Sequence, residues 1–232
     1  ERSISPVKVT AIHIYKTAQL STAALLMAAE NDIPVLIYDM QGKPAVRIWN
    51  SNFPRTGQVR INQPLFCSSI SGIWWCKHIA ALKMQGQLHN LSFFANRFTA
   101  AAEPVNAAAQ TIEKIKTQVA ELGSDIAVQG SLLGYEGSAS AAYWHAIDAI
   151  LDDAVFTRRI QRNAKEPFNA CVNYLYGVLY GKVEGALIAC GLDPMVGLMH
   201  TEGYGKKSLV YDCIEPFRQW AELLLVTLFK NN

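Results

Sequence analysis

Three segments of this sequence carry side chains whose types and spacing could do chemistry. The stretch from Leu133 to Trp144 places one carboxylate, Glu136, near the start of a predicted helix rich in small residues, among them Gly137, Ser138, Ala139 and Ser140. Small side chains let another backbone approach, so Glu136 is expected in a packed interior. A Glu favoured by the positive end of the helix dipole is the plainer reading. The stretch from Gly191 to His200 contains Asp193-Pro194, which would end one helix and start the next, and His200 emerges from the apolar run behind it. Imidazole is the commonest metal-binding side chain, although a hydrogen-bonded core histidine would read the same way. In the stretch from Ser208 to Arg218, Asp212 and Glu215 are three apart and would share a helix face. A divalent cation would relieve their repulsion, as would water on a solvated acidic patch. Pro216 is tolerated there if the helix proper begins near Asp212. Together, one histidine and three carboxylates suit Mg²⁺ or Mn²⁺, with the imidazole tilting towards manganese. Such a site handles phosphoryl transfer naturally.

The elements that must position these groups differ between the two ends of the chain. The first fifty residues read as strand, helix, strand, strand: β-branched Val7 to Lys16, a helix capped by Ser21 and running to Glu30, then Ile33 to Asp39 and a hairpin return over Ala45 to Trp49. Asn50, Ser51, Asn52, Pro54, Gly57 and Pro64 then break regular structure. Beyond them the pattern is helical over Ser69–Phe98, over Asn106–Leu122 behind Pro104, and over Tyr135–Phe156, Asn169–Cys190 and Leu209–Phe229. The expected fold is α+β: a small N-terminal β-rich domain over residues 1–53, a linker over 54–63, and a larger all-α catalytic domain over 64–232. Both ends read as cut from something longer.

Composition narrows the function classes. A chain of 232 residues, half of them hydrophobic and 17% charged, is globular and large enough to need no covalent staples. Lys plus Arg is 21 and Asp plus Glu is 19, a net charge of +2, so nucleic acid could be bound only through a local patch. Five cysteines without a Cys-x-x-Cys pair read as buried thiols in a reducing cytoplasm. The apolar stretch from Leu223 to Phe229 is far short of the ~20 residues of a membrane span. Gly42, Gly57 and Gly86 form no phosphate-binding loop, which leaves an ATP-binding role unsupported.

In order and spacing, the motif segments resemble the CRISPR-associated integrase that captures new spacers, the "Cas one" family. Glu136-Gly137-x-Ala139 with Tyr143-Trp144 is similar to that family's first metal motif. Asn169 to Tyr180, then Gly191-Leu192-Asp193-Pro194 and Gly197-Leu198-Met199-His200, resemble its central helix and histidine motif. Ser208-Leu209-Val210-x-Asp212-x-x-Glu215-x-Phe217-Arg218 resembles its last motif. The resemblance implies Glu136, His200 and Glu215 as ligands of Mg²⁺ or Mn²⁺, with Asp212 as a neighbouring catalytic acid able to trade places with Glu215. It departs from the family in shortened opening strands and in lacking the segment that usually follows the last motif.

That resemblance further implies a metal-dependent DNA endonuclease and integrase that joins the 3′-hydroxyl ends of short double-stranded DNA to a CRISPR repeat by transesterification. The partners implied are the prespacer and the repeat, a second copy in a homodimer, a small second adaptation protein ("Cas two"), and a fused or associated reverse transcriptase. A non-catalytic subunit that holds DNA or partner, and a general metal-dependent repair nuclease, are the competing readings. For DNA, Arg158, Arg159, Arg162 and Lys165 form the densest basic cluster, with Arg158, Arg162 and Lys165 on one face if helix persists there. A solvated surface balanced by Asp152 and Asp153 is the alternative. Lys206 and Lys207, between His200 and Asp212, are closer in sequence to the acidic site, and Tyr204 sits between two glycines as a candidate stacking residue.

Overall fold

The structure is a computed structural model, and it describes residues 4–15, 18–38, 44–48, 56–123, 128–151, 155–161, 163–200 and 205–231. The chain divides into two compact units, residues 1–57 and 58–232. In the first unit β1 (Ile12–Tyr15) pairs in parallel with β2 (Val35–Tyr38), and β2 pairs antiparallel with β3 (Pro44–Ile48). A parallel pair needs a crossover, and α1 (Thr22–Glu30) supplies it. The Ser21 side chain accepts from the Ala24 amide at that helix's start, at 3.2 Å. Ala28, Ile33 and Val35 form the small core, with Ile12, Ile14, Leu25 and Ile48 against it. The opening turn Pro6–Lys8 is a short 3₁₀ helix, so the strand begins later than the β-branched run suggests.

The second unit is helical: α2 (Thr56–Cys67), α3 (Ile70–Arg97), α4 (Ala102–Glu121), α5 (Val128–Ile150), α6 (Pro167–Ala189), α7 (Ser208–Ile214) and α8 (Arg218–Asn231). Residues 56–63, expected to be linker, are the first turns of α2, which carries Pro64 within it. Ser69 caps α3 by accepting from the Gly72 amide at 3.1 Å. This 28-residue helix is about 42 Å long and packs against α4, α5 and α8. Its buried stripe steps by three and four through Ile73, Cys76, Ala80, Lys83, Gln87, Asn90 and Phe94. Three positions of that stripe are polar.

Two buried polar groups of α3, Lys77 and Asn90, tie it to its neighbours. Lys77 donates from Nζ to the carbonyls of Ala120 (3.1 Å) and Leu122 (2.7 Å), closing the C-terminal end of α4. Asn90 donates to the Tyr143 hydroxyl at 3.0 Å and to the Gln219 carbonyl at 2.9 Å, tying α3 to α5 and α8. The apolar core around them includes Met84, Leu91, Ile112, Ile147, Phe156 and Phe168. Of the five cysteines expected to be buried, Cys76 is, Cys67, Cys171 and Cys213 are half-buried, and Cys190 is exposed. Burial pushes the Cys76 and Cys213 thiols up to about 12, and these two act as small apolar side chains. Among the described residues no helix is long and apolar enough to cross a membrane.

Candidate active site

Glu136 does not lie at a helix start. α5 begins at Val128, so Glu136 occupies its third turn and the helix-dipole reading fails. Instead the side chain points at α3, where Lys83 donates to Glu136 Oε1. The same ammonium lies 2.6 Å from Glu215 Oε2, an ion contact made off the hydrogen-bonding directions of that oxygen. Arg218 Nη2 holds the other Glu215 oxygen at 3.1 Å. Carboxylates from α5 and from the turn after α7 therefore meet on one buried lysine.

The electrostatics follow from this geometry. Burial alone would lower the Lys83 pKa, but Glu215 and then Glu136 outweigh it and hold the ammonium above its ordinary range. Burial likewise pushes the Glu136 carboxyl up. Lys83, helped by the Ser140 hydroxyl donating at 2.9 Å, reverses that and leaves the group below its ordinary value. Beyond Arg218 lies Glu222, fully enclosed, with Tyr176 donating to its Oε1. There burial wins over the hydrogen bond, and the carboxyl is raised.

Asp212 and Glu215 do not share one environment. Residues 215–217 form a 3₁₀ turn between α7 and α8, in which Pro216 needs no amide partner of its own. The single helix expected over Leu209–Phe229 is therefore two, and the helix proper begins at Ser208, before Asp212. Glu215 turns to Lys83, while Asp212 turns to the loop after α6. Asp212 Oδ2 accepts from the amides of Leu198 (2.6 Å) and Met199 (3.0 Å), and Oδ1 accepts from the His200 amide (3.0 Å). Oδ1 also lies 2.7 Å from His200 Nδ1. With every lone-pair direction engaged and no exposed surface, Asp212 positions His200 and is not interchangeable with Glu215.

The loop that carries His200 is clamped from a second side. Gln63 on α2 donates to the carbonyls of Asp193 (2.8 Å) and Val196 (2.9 Å) and accepts from the Asp193 amide (2.8 Å). Gly197 makes the close approach possible. A Cβ there would lie 2.6 Å from Ser208 Cβ and 2.7 Å from the Ser208 carbonyl carbon. Backbone cannot yield as a flexible side chain would, so Gly197→Ala is expected to cost about 2 kcal/mol. A matched denaturant titration checks this; a loss below about 0.5 kcal/mol would mean that the loop has room to move.

Two carboxylates already sharing one cation, and a histidine whose Nδ1 is tethered so that Nε2 is left for another partner, are a donor set that fits a hard divalent ion. Among the described residues, no three His, Cys, Asp or Glu side chains are gathered into a ready cage.

The basic cluster is built differently from its expectation. Residues 155–161 and 163–166 are not helical; Asn163 turns the chain with φ 53°, and α6 starts only at Pro167. No helix face can align Arg158 with Lys165. Arg159 is half-buried, donating to Asn169 Oδ1 (3.0 Å) and Asn173 Oδ1 (2.6 Å) and lying 5.4 Å from the Tyr176 ring centre. These contacts pin the loop to α6. Arg158 and Lys165 are exposed, and Arg162, Asp152, Asp153 and Tyr204 lie outside the described residues. Lys207 is paired with Glu184 at 2.8 Å, and Lys206 sits over the Tyr211 ring at 5.8 Å. Lys83 and Gln63 escaped the motif reading of the site, and Arg218 stood in its last motif without a role. The signal that could have found Lys83 is its place on the apolar stripe of α3.

Fold and site define an α+β protein whose larger unit holds a carboxylate pair on Lys83 and, separately, an Asp212–His200 pair. The family model described as "CRISPR associated protein Cas1" matches residues 1–232, and the chain belongs to that family. The CRISPR-associated endonuclease Cas1 of Korarchaeum cryptofilum is 28% identical over 244 residues, covering 100% of this chain and 71% of the relative. Among solved structures, a Cas1 protein from Thermotoga maritima superposes with a TM-score of 0.75 at 20% identity, covering 98% of this chain and 70% of the other. A chain of a Cas6-RT-Cas1–Cas2 complex gives 0.71 at 20% identity, covering 96% and 24%. A casposase bound to its integration product gives 0.68 at 21%, covering 98% and 63%. At these identities the structures share the fold.

Proposed function

We propose that this chain is a divalent-metal-dependent DNA endonuclease and integrase of CRISPR adaptation, joining the 3′-hydroxyl ends of short duplex DNA to a CRISPR repeat. The observation that carries the reading is the meeting of Glu136 and Glu215 on one buried cation, in a chain of the Cas1 family. A casposase caught on its integration product and an endonuclease from Korarchaeum cryptofilum support the reaction class.

In this reading Glu136, Glu215 and His200 hold Mg²⁺ or Mn²⁺, which would supply Lewis acidity at a phosphodiester oxygen. Asp212 fixes which imidazole nitrogen faces outward. Arg218 keeps Glu215 from rotating away. The 3′-hydroxyl of the incoming strand gives its proton to water as its oxygen forms a new P–O bond, and the target strand's 3′-oxygen leaves and takes up a proton; water in place of the hydroxyl gives cleavage. Arg158, Lys165 and Lys206 provide positive charge for the DNA backbone. In this reading the chain works as a homodimer, and the Cas6-RT-Cas1–Cas2 neighbour supports a small Cas2-type partner and a fused or associated reverse transcriptase.

A strand-transfer assay tests this with labelled short duplex, a supercoiled plasmid bearing a CRISPR array, the partner protein and Mn²⁺ or Mg²⁺. Wild type should attach label to the plasmid; EDTA or Glu136→Gln should remove that product. Joining that persists in either control would overturn the assignment.

A further inference from the structure

Lys83 and Arg218 bring two positive charges to the two carboxylates of Glu136 and Glu215. The site is thus neutral before any metal arrives. Lys83 is also nearly inaccessible, its side chain 8% exposed, while those of Glu136 and Glu215 are 16% and 3% exposed. Water can do little there to screen a change of charge.

A divalent ion entering this site would add two uncompensated positive charges beside a fixed ammonium. Two routes each offset one of those charges: the lysine withdraws, or an anion enters with the metal. Lys83 has a long stem packed in the middle of α3, and withdrawing it would leave the ammonium without the partners that justify its burial. An incoming anion has no such cost. Resting on the metal reading given above, we infer that Lys83 is a resident counter-ion that makes the metal site depend on DNA: the divalent ion is held tightly only together with a phosphodiester oxygen. In the absence of DNA, Lys83 occupies the position between the carboxylates and keeps the metal weakly bound.

Mn²⁺ binding, read as loss of the free-ion paramagnetic resonance signal, tests this independently of strand transfer. The chains compared are wild type, Lys83→Met, Lys83→Arg and Glu136→Gln, each with and without a short DNA duplex. Binding is counted above the Glu136→Gln background, which absorbs metal condensed on the duplex. Wild type and Lys83→Arg should bind Mn²⁺ weakly alone and about tenfold or more tightly with duplex, because charges a few ångströms apart interact strongly in a protein interior. Lys83→Met, of similar length and uncharged, should bind about tenfold more tightly than wild type without DNA, and duplex should then add little. If Lys83→Met does not fold, the wild-type comparison still decides: Mn²⁺ affinity unaltered by duplex overturns the inference. A folded Lys83→Met no tighter than wild type overturns it too. Wild type that takes up no Mn²⁺ above background, even with duplex, would overturn the metal reading of the site as well.

Discussion

Asp212→Ala is expected to lose about 3–5 kcal/mol of stability and about a thousandfold in strand-transfer rate. A single buried carboxylate there accepts from three consecutive amides and meets the imidazole of His200. Hydrogen bonds to a charged acceptor contribute about 1.5–3 kcal/mol each, and the donors left behind are enclosed. Repacking and entering water recover part of the sum. In a chain of this size the loss should lower Tm by roughly 10 °C or more. The rate falls for a separate reason: His200 loses the contact that sets its tautomer and direction. Asp212→Asn separates the two effects. It keeps one accepting oxygen but turns an NH₂ towards amide donors, so it should recover some stability while the Mn²⁺ concentration for half-maximal rate stays raised. An Asp212→Ala protein melting within about 2 °C of wild type would show that the 198–200 loop is held elsewhere.

That anchor also explains what could be read from the sequence and what could not. Elements whose cause is local were legible. Ser21 announces its helix, and the helix expected from Ser69 begins directly behind that residue, which caps it. The structure puts Glu136 and Glu215 on Lys83 and His200 on Asp212, two groupings where the motif segments offered one set. Roles were less legible, because they depend on partners from distant elements. Spacing alone puts Asp212 and Glu215 on one face, but the turn at Pro216 and the nearby 198–200 loop send them to different tasks. Arg159 reads as a free surface cation until Asn169 and Asn173 are seen to hold it. Lys83 reads as an ordinary helix lysine until the stripe beneath it is recognised as core. In each case the deciding interaction spans at least ten residues of sequence.

Glu215→Gln should be the most destabilising conservative change at the carboxylate pair, costing about 3–5 kcal/mol, and Glu136→Gln clearly less. The ordering follows from what each carboxylate holds. Glu215 is the shared partner of Lys83 and Arg218, and its side chain is only 3% exposed. Neutralising it leaves Arg218 facing the hydroxyl of Tyr180, at 2.8 Å, which carries no charge to balance a buried guanidinium. Breaking a buried pair from one side costs far more than the pair contributes. Glu136 is partly open to water and balances Lys83 alone, so its loss leaves that ammonium with Glu215 still in place. The pH dependence distinguishes the two positions further. Glu136 sits below its unfolded pKa, so the stability it contributes is present above about pH 4.5 and is lost as pH falls through its folded value. Glu136→Gln should therefore flatten the acid limb of the stability curve below pH 4.5. Denaturant titrations from pH 3 to pH 7 measure the ordering and the limb together. A Glu136→Gln protein less stable at pH 7 than Glu215→Gln would mean that Glu136, and not Glu215, is the hub on which the buried cations rest.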